Sequence, residues 1–298
     1  MNSFLEALNE KSILVSDGAM GTMLMAAGMQ SGDCPEALNL SRPELIRSIA
    51  RDYARAGADL VETNSFGGSP AKLAIYGQDD KTEQLNRLAA ELARAAVGEE
   101  ILVAGSCGPT GLLLEPCGPA RPTEIQAGFQ RQIQGLIDGD VDVIFIETMT
   151  DPNELQLAID ACREVDPGMP IVASMTFDAT PNGFFTMMGT AISEAVTAIE
   201  AAQVDMIGSN CGHGLENMIA IATEISSLTD LPLMIQSNAG LPVEKDGGLE
   251  YGESPQFFAA NIDRLMKAKV KILGGCCGTT PDHIRAIRKH IDSEVNHD

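Results

Sequence analysis

Three cysteines stand where thiol chemistry is easiest to build. Cys276 and Cys277 are adjacent within Gly274-Gly275-Cys276-Cys277-Gly278-Thr279, and Cys211 lies in Ser209-Asn210-Cys211-Gly212. Each run follows a short β-rich segment, so all three thiols fall at strand ends. A vicinal pair between glycines is hard to explain as packing. Neighbouring strand residues point to opposite sides, so both sulfurs face one ion only if the chain bends, and the glycines permit the bend. Three thiolates with one open position describe a catalytic zinc site rather than a closed structural one. Cys34, Cys107, Cys117 and Cys162 read instead as small buried hydrophobes or incidental thiols. Cys162 falls inside a helical stretch, and Cys107 and Cys117 in the loop after the third strand. His213 reads as an ordinary loop histidine, and His283, His290 and His297 as surface residues of the last helix and tail.

Carboxylates close two other apolar runs. Asp17 follows Ile13-Leu14-Val15-Ser16, and Glu147 ends Val141-Asp142-Val143-Ile144-Phe145-Ile146. A carboxylate there faces a mouth rather than solvent, which points to substrate binding over capping. Two more strand ends are polar: Glu62-Thr63-Asn64-Ser65-Phe66 and Ser237-Asn238-Ala239-Gly240.

Eight β-rich segments must position these residues: 13–16, 59–63, 101–105, 141–147, 170–176, 205–209, 232–236 and 271–274. Most are continuous apolar runs, the pattern of parallel strands covered on both faces. Helical patterns fill the gaps at 43–56, 82–97, 123–138, 153–164, 193–202, 215–228, 255–268 and 281–291. Several begin with Pro near the first turn, where the missing N–H costs nothing, and Ser41 is placed to cap the first. Eight strands alternating with eight helices predict a (β/α)8 TIM barrel, one α/β domain over 1–298. A doubly wound sheet fits less well, because no G-x-G-x-x-G follows the first strand. No sequence repeat is visible beneath the alternation of elements. Residues 111–122 and 241–253 are expected to be extended loops over the active face, the C-terminal end of the strands.

Composition narrows the partners. Asp and Glu outnumber Lys and Arg 42 to 20, a formal charge of −22, which repels phosphate backbones and anionic membranes. Hydrophobic residues make up 44%, with no Trp, so the core must rest on aliphatic and Met side chains. Met1-Asn2-Ser3-Phe4-Leu5-Glu6 lacks the basic-then-apolar pattern of a secretory leader. A cytoplasmic protein with reduced cysteines is therefore expected.

Asp17-Gly18-Ala19-Met20-Gly21-Thr22, Glu62-Thr63-Asn64-Ser65-Phe66, Ser209-Asn210-Cys211-Gly212 and Gly274-Gly275-Cys276-Cys277-Gly278-Thr279-Thr280-Pro281 together resemble the homocysteine S-methyltransferase family. The likeness runs from Asp17 to the last helix. It is nearest to the homocysteine-binding module of cobalamin-dependent methionine synthases and more distant from betaine–homocysteine methyltransferases. It implies that Cys211, Cys276 and Cys277 ligate zinc and that Asn238 can supply a fourth ligand when substrate is absent. It also implies that Asp17, Gly18 and Glu147 hold the amino-acid end of homocysteine, with Thr63 and Asn64 lining the same pocket. The chemistry fits, because the thiolate is the nucleophile and zinc coordination deprotonates a thiol. The sequence ends just past the eighth helix and leaves no room for a corrinoid module. The methyl group is therefore expected from methylcobalamin on a separate corrinoid-carrying protein or missing module. S-methylmethionine or betaine is the alternative donor, and a zinc or thiol redox module the non-enzymatic alternative. A metal-dependent aldolase or lyase would want His and carboxylate ligands that the rim does not offer.

Overall fold

The computed structural model describes residues 3–245 and 248–295. Its strands are β1 (Leu14–Val15), β2 (Leu60–Glu62), β3 (Leu102–Cys107), β4 (Val143–Met149), β5 (Ile171–Met175), β6 (Asp178–Thr180), β7 (Gly183–Phe185), β8 (Met206–Asn210), β9 (Leu233–Ser237), β10 (Pro242–Lys245), β11 (Gly248–Tyr251) and β12 (Val270–Gly275). The helices are α1 (Ser3–Glu10), α2 (Met20–Ala26), α3 (Leu38–Ser41), α4 (Pro43–Ala56), α5 (Pro70–Leu73), α6 (Thr82–Val97), α7 (Pro122–Asp138), α8 (Pro152–Val165), α9 (Ile192–Ala201), α10 (Leu215–Leu228), α11 (Pro255–Lys267) and α12 (Pro281–Val295). Eight parallel strands run in the order β1-β12-β9-β8-β5-β4-β3-β2, and a bridge between Ser16 and Leu60 joins the two ends. This is the (β/α)8 barrel expected from the alternation. All eight expected strands and all eight covering helices are present, within a few residues of their expected ends.

The additions lie outside the alternation. Helix α1 packs Phe4 and Leu8 against Leu14, Leu60, Leu102, Val143, Val172, Met206, Met234 and Ile272, filling the barrel interior from the N-terminal end. Residues 241–253 are not an extended loop: β10 and β11 pair as an antiparallel hairpin, as do β6 and β7. Ser41 is not the cap of α4; it ends α3 and donates to the Ala37 carbonyl, while Pro43 opens α4. Among the described residues, no helix is long and apolar enough to cross a membrane.

A short repeat does exist, and only the structure makes it plain. Gly57-Ala58-Asp59-Leu60, Asp140-Val141-Asp142-Val143, Gln203-Val204-Asp205-Met206 and Lys269-Val270-Lys271-Ile272 each lead into an even-numbered strand of the barrel's eight. The first residue of each is left-handed, with φ of 101°, 72°, 55° and 59°. In three of them the Asp clamps the preceding strand. Asp59 receives the Val15 N–H (2.8 Å), Asp142 that of Val103 (2.8 Å) and Asp205 that of Ile171 (2.8 Å). Each then pairs with an arginine from a covering helix: Arg288, Arg94 and Arg163 respectively. Asp142→Ala would leave the Val103 N–H without its side-chain acceptor, while the half-buried Arg94 keeps Asp140 and the Gly98, Ile101 and Asp140 carbonyls. We expect a loss of about 2 kcal/mol in urea unfolding, the scale of an unsatisfied buried donor; unchanged stability would show that the clamp is idle.

Candidate functional site

The barrel interior changes character one pleat above the apolar layer. Two residues beyond Leu14, Leu60, Ala104, Phe145, Val172 and Met234 come Ser16, Glu62, Ser106, Glu147, Ser174 and Gln236. Period-two alternation puts each on the same inward face as its predecessor. Asp17 and Glu147 are buried there, and Glu62 is half-buried. Asp17 accepts the Glu62 N–H at 2.9 Å. Glu147 accepts from the Ser106 hydroxyl and, at 2.8 Å, from the Asn210 amide. Gln236 donates to Glu62 and, at 3.1 Å, to Ser16.

Crowding and burial set the charge of this layer. Burial is the main cause that pushes the Asp17 carboxyl up to about 7, with the nearby Glu147 adding to it. Burial also raises Glu62 well above the carboxylate range, reinforced by Glu147 and Asp17. Glu147 is raised as well, chiefly by burial and against its hydrogen bond from Ser106. Three carboxyl groups that share a pocket and are each raised by burial make a receptor for a cation, such as a substrate ammonium, that would favour their ionised form.

The thiols sit on the rim above. The Cys211 and Cys277 sulfurs are 4.0 Å apart, and the three sulfurs of Cys211, Cys276 and Cys277 all lie within 4.8 Å of one another. The bend expected at the vicinal pair is real: β12 ends at Gly275, and the chain then turns. Cys276 N–H donates to the Ser237 carbonyl (2.7 Å), and the Cys277 carbonyl accepts from Ala239 (2.9 Å). Thr279 closes the turn by donating its hydroxyl to the Cys276 carbonyl at 2.7 Å. Cys211 is itself left-handed at φ 61°, an uncommon conformation outside glycine. Contact with the Cys276 and Cys277 thiols lowers Cys211 to about 3, while the same contact pushes Cys277 up to about 11.

The cluster fits a zinc ion. Zinc–sulfur bonds in a tetrahedral site hold sulfurs about 3.8 Å apart, close to the 4.0 Å seen between Cys211 and Cys277. Asn238 hydrogen-bonds Cys211, and its buried side-chain oxygen lacks a hydrogen-bond partner. That oxygen is a ready donor for a fourth position.

The other candidate residues divide. Gly18 lies in the turn after β1, where a Cβ would meet the Thr279 hydroxyl at 2.6 Å. Thr63 and Asn64 use their side chains on the protein itself: Thr63 bonds Ser65 (2.6 Å), and Asn64 donates to Pro35 and Asn39. They hold the wall after β2 in place. Cys107 belongs to β3 and is fully buried, not in the following loop; Cys162 is buried in α8 and Cys117 exposed. His213 accepts the Ala179 N–H at 3.1 Å and so ties down the β6–β7 hairpin. His283 is buried, not a surface residue, and bonds the Glu253 carbonyl at 3.0 Å; burial lowers its pKa. His290 is on α12, facing Asp263, and His297 lies outside the described residues.

Two contributors went unsingled in the sequence. Glu62 was visible as the end of β2, and its inward phase follows from Leu60. Tyr251 was hidden by reading its segment as a loop, although Asp246-Gly247 is a strong hairpin signal. Its ring lies where a Cβ on Gly278 would be, 2.1 Å from the ring's Cγ, and its hydroxyl bonds Cys277. Burial and the neighbouring thiols push Tyr251 up to about 12. Gly278 is left-handed at φ 82°. Gly278→Ala would thus both strain the turn and collide with Tyr251, and we expect zinc affinity to fall about tenfold or more, as when a ligand loses its support. Chelator competition measures this; wild-type affinity would show that the turn tolerates the displacement.

A barrel that gathers three thiols over a layer of carboxyl groups at its C-terminal mouth has the layout of an enzyme that binds a metal and a small cationic substrate. The sequence profile of homocysteine S-methyltransferases matches residues 14–291, and the chain belongs to that family. It is 34% identical to the methionine synthase of Mycobacterium tuberculosis over 300 aligned residues, covering 95% of this chain and 25% of that protein. The chain thus spans about a quarter of the length of the curated relatives it matches. It also resembles the homocysteine methyltransferase MmuM from Escherichia coli along nearly the full length of both. The metallated form matches with a TM-score of 0.78 at 28% identity over 95% of this chain and 98% of that one. The oxidized form matches with a TM-score of 0.80 at 29% identity over 97% and 99%.

Proposed function

We propose that this chain binds homocysteine at the barrel mouth and presents its sulfur for methylation to methionine, with zinc held by Cys211, Cys276 and Cys277. The observation that carries the reading is the stacking of a three-thiol cluster directly above a carboxyl layer. Homocysteine has an ammonium at one end and a thiol at the other, and the two tiers suit the two ends. Zinc bound to the thiols would keep the substrate thiol ionised at neutral pH. Asp17 and Glu147 receive the ammonium, and Glu62 supports both from between them. Gly18 lets the Asp17 turn close against Thr279 and Tyr53 beside the amino-acid end. Asn238 stands by the open ligand position, and Thr63 and Asn64 fix the pocket wall. In the transfer, a sulfur lone pair forms the new S–C bond while the donor departs with the electron pair of its old bond to the methyl carbon.

We assign the methyl group to a corrinoid on a separate protein or module, a reading supported by the likeness to methionine synthases. The full-length match to MmuM supports the alternative, a small methyl donor taken directly. An assay of zinc-loaded protein with homocysteine decides between them by comparing a methylated corrinoid protein, free methylcobalamin, S-methylmethionine and betaine. The corrinoid protein is expected to support the fastest turnover, with free methylcobalamin slower because nothing positions its methyl group. Fast turnover with S-methylmethionine or betaine alone would overturn the corrinoid assignment. No methionine from any donor would overturn the activity.

A further inference from the structure

The fourth member of the barrel's repeat breaks the pattern, and a cavity marks the break. Three quadrants carry an aspartate on the strand and an arginine on a helix. In the fourth, the strand position is Lys271. The helix position is Ser226: α8 and α10 both have 14 residues, and Arg163 and Ser226 occupy the same place in each. Both charges of the clamp are therefore gone, one deleted and one inverted. The ladder responds, because the pairing of β12 with β9 shifts register between Val270 and Ile272. Where the guanidinium would lie there is a cavity of about 220 Å³ lined by Ser226, Asp230, Leu233, Ala268, Lys269 and Lys271. Leu233 and Ala268 are buried and form its apolar floor, while Lys269 and Asp230 are exposed at its rim. Lys271 donates to the Leu8 and Lys11 carbonyls at 3.4 and 3.1 Å, which leaves one N–H of its ammonium.

We propose that this cavity, at the end of the barrel away from the thiols, is a binding site for a small carboxylate with a short apolar body. Inverting the strand charge inverts the complement: where aspartate took a guanidinium, lysine takes a carboxylate. Lys269 supplies a second cation at the rim, and the apolar floor accommodates an aliphatic body that inorganic phosphate lacks. Asp230 sits within the same rim, so an α-amino acid can place its ammonium there while its carboxylate meets the lysines. A bare carboxylate must do without that contact.

Valerate and norvaline differ only by the ammonium and test both points against inorganic phosphate. Binding is read on the full chain by amide chemical-shift changes at the cavity's own Ser226, Ala268 and Lys269, without homocysteine, which as an α-amino acid would also enter the cavity. Norvaline is expected to bind more tightly than valerate, and phosphate not to compete with either. The double variant Ser226→Arg/Lys271→Asp rebuilds the clamp of the other quadrants. It should melt at or above the wild-type temperature and bind both ligands at least about tenfold more weakly, the scale of one charge-assisted hydrogen bond. Lys269→Gln/Lys271→Gln, which keeps the cavity open, should lose the same affinity and serves if the first variant does not fold. Absence of binding by both ligands, undiminished binding in the variants, or equal binding of phosphate would each overturn the site.

Discussion

Alanine at Cys211, Cys276 or Cys277 is expected to lower zinc affinity by more than about a hundredfold and to abolish homocysteine methylation. Supporting groups around a metal already cost roughly 10–100-fold when removed, and each of these thiols would be a direct ligand. The barrel should survive the change. Its core consists of the apolar layer inside the strands and the larger layer between strands and helices, and none of the three cysteines belongs to either. The melting temperature of each metal-free variant should therefore match that of the metal-free wild type. Cys211→Ala has one further consequence: it removes the thiol that both others approach. Elemental analysis after dialysis against a weak chelator is the measurement. Full zinc occupancy in the Cys277→Ala protein would remove Cys277 from the site, whatever happened to activity.

Most of this barrel was legible because its signals are local. Apolar runs such as Ile144-Phe145-Ile146 and Ile171-Val172-Ala173 admit little besides buried strands, and Pro at the start of α4, α7, α8, α11 and α12 marks where helices open. The thiol cluster was legible for a related reason. Once Cys211 and Cys276-Cys277 are assigned to strand ends, the barrel itself brings them together across 66 residues of sequence. What escaped depended on partners distant in sequence. His283 looked like any polar residue of an amphipathic helix, and its burial arises from Phe258 and the Glu253 carbonyl on other elements. The four-part repeat escaped because it is four residues long and tolerates Gly, Asp, Gln or Lys at its first position. What all four share is a left-handed first residue, and three of them share a contact made by an arginine from another helix.

The second large effect expected is on homocysteine itself. Asp17→Asn and Glu147→Gln should each weaken its binding about ten- to a hundredfold, the worth of a charge-assisted hydrogen bond of roughly 1.5–3 kcal/mol, while leaving zinc content unchanged. Their pH behaviour should carry a further signature. Burial raises Asp17 from 3.8 to about 7 in the folded protein. The folded state therefore holds a proton that the unfolded chain has lost. The stability this contributes is fully present below the unfolded value of 3.8 and fades as pH rises through about 7. Binding an ammonium works in the opposite direction, because it favours the ionised carboxyl. Homocysteine affinity should thus rise with pH through neutrality, with protons released on binding from the carboxyl layer as well as from the substrate thiol. Asp17→Asn should remove Asp17's part of the carboxyl share and leave that of Glu62 and Glu147 together with the thiol share. Calorimetric titrations at pH 6 and pH 8, each in two buffers of different ionisation enthalpy, count the protons directly. If the Asn variant released as many protons as the wild type at both pH values, Asp17 would not be the group that meets the ammonium. If Glu147→Gln bound homocysteine with wild-type affinity, the carboxyl layer would have to be assigned some other guest.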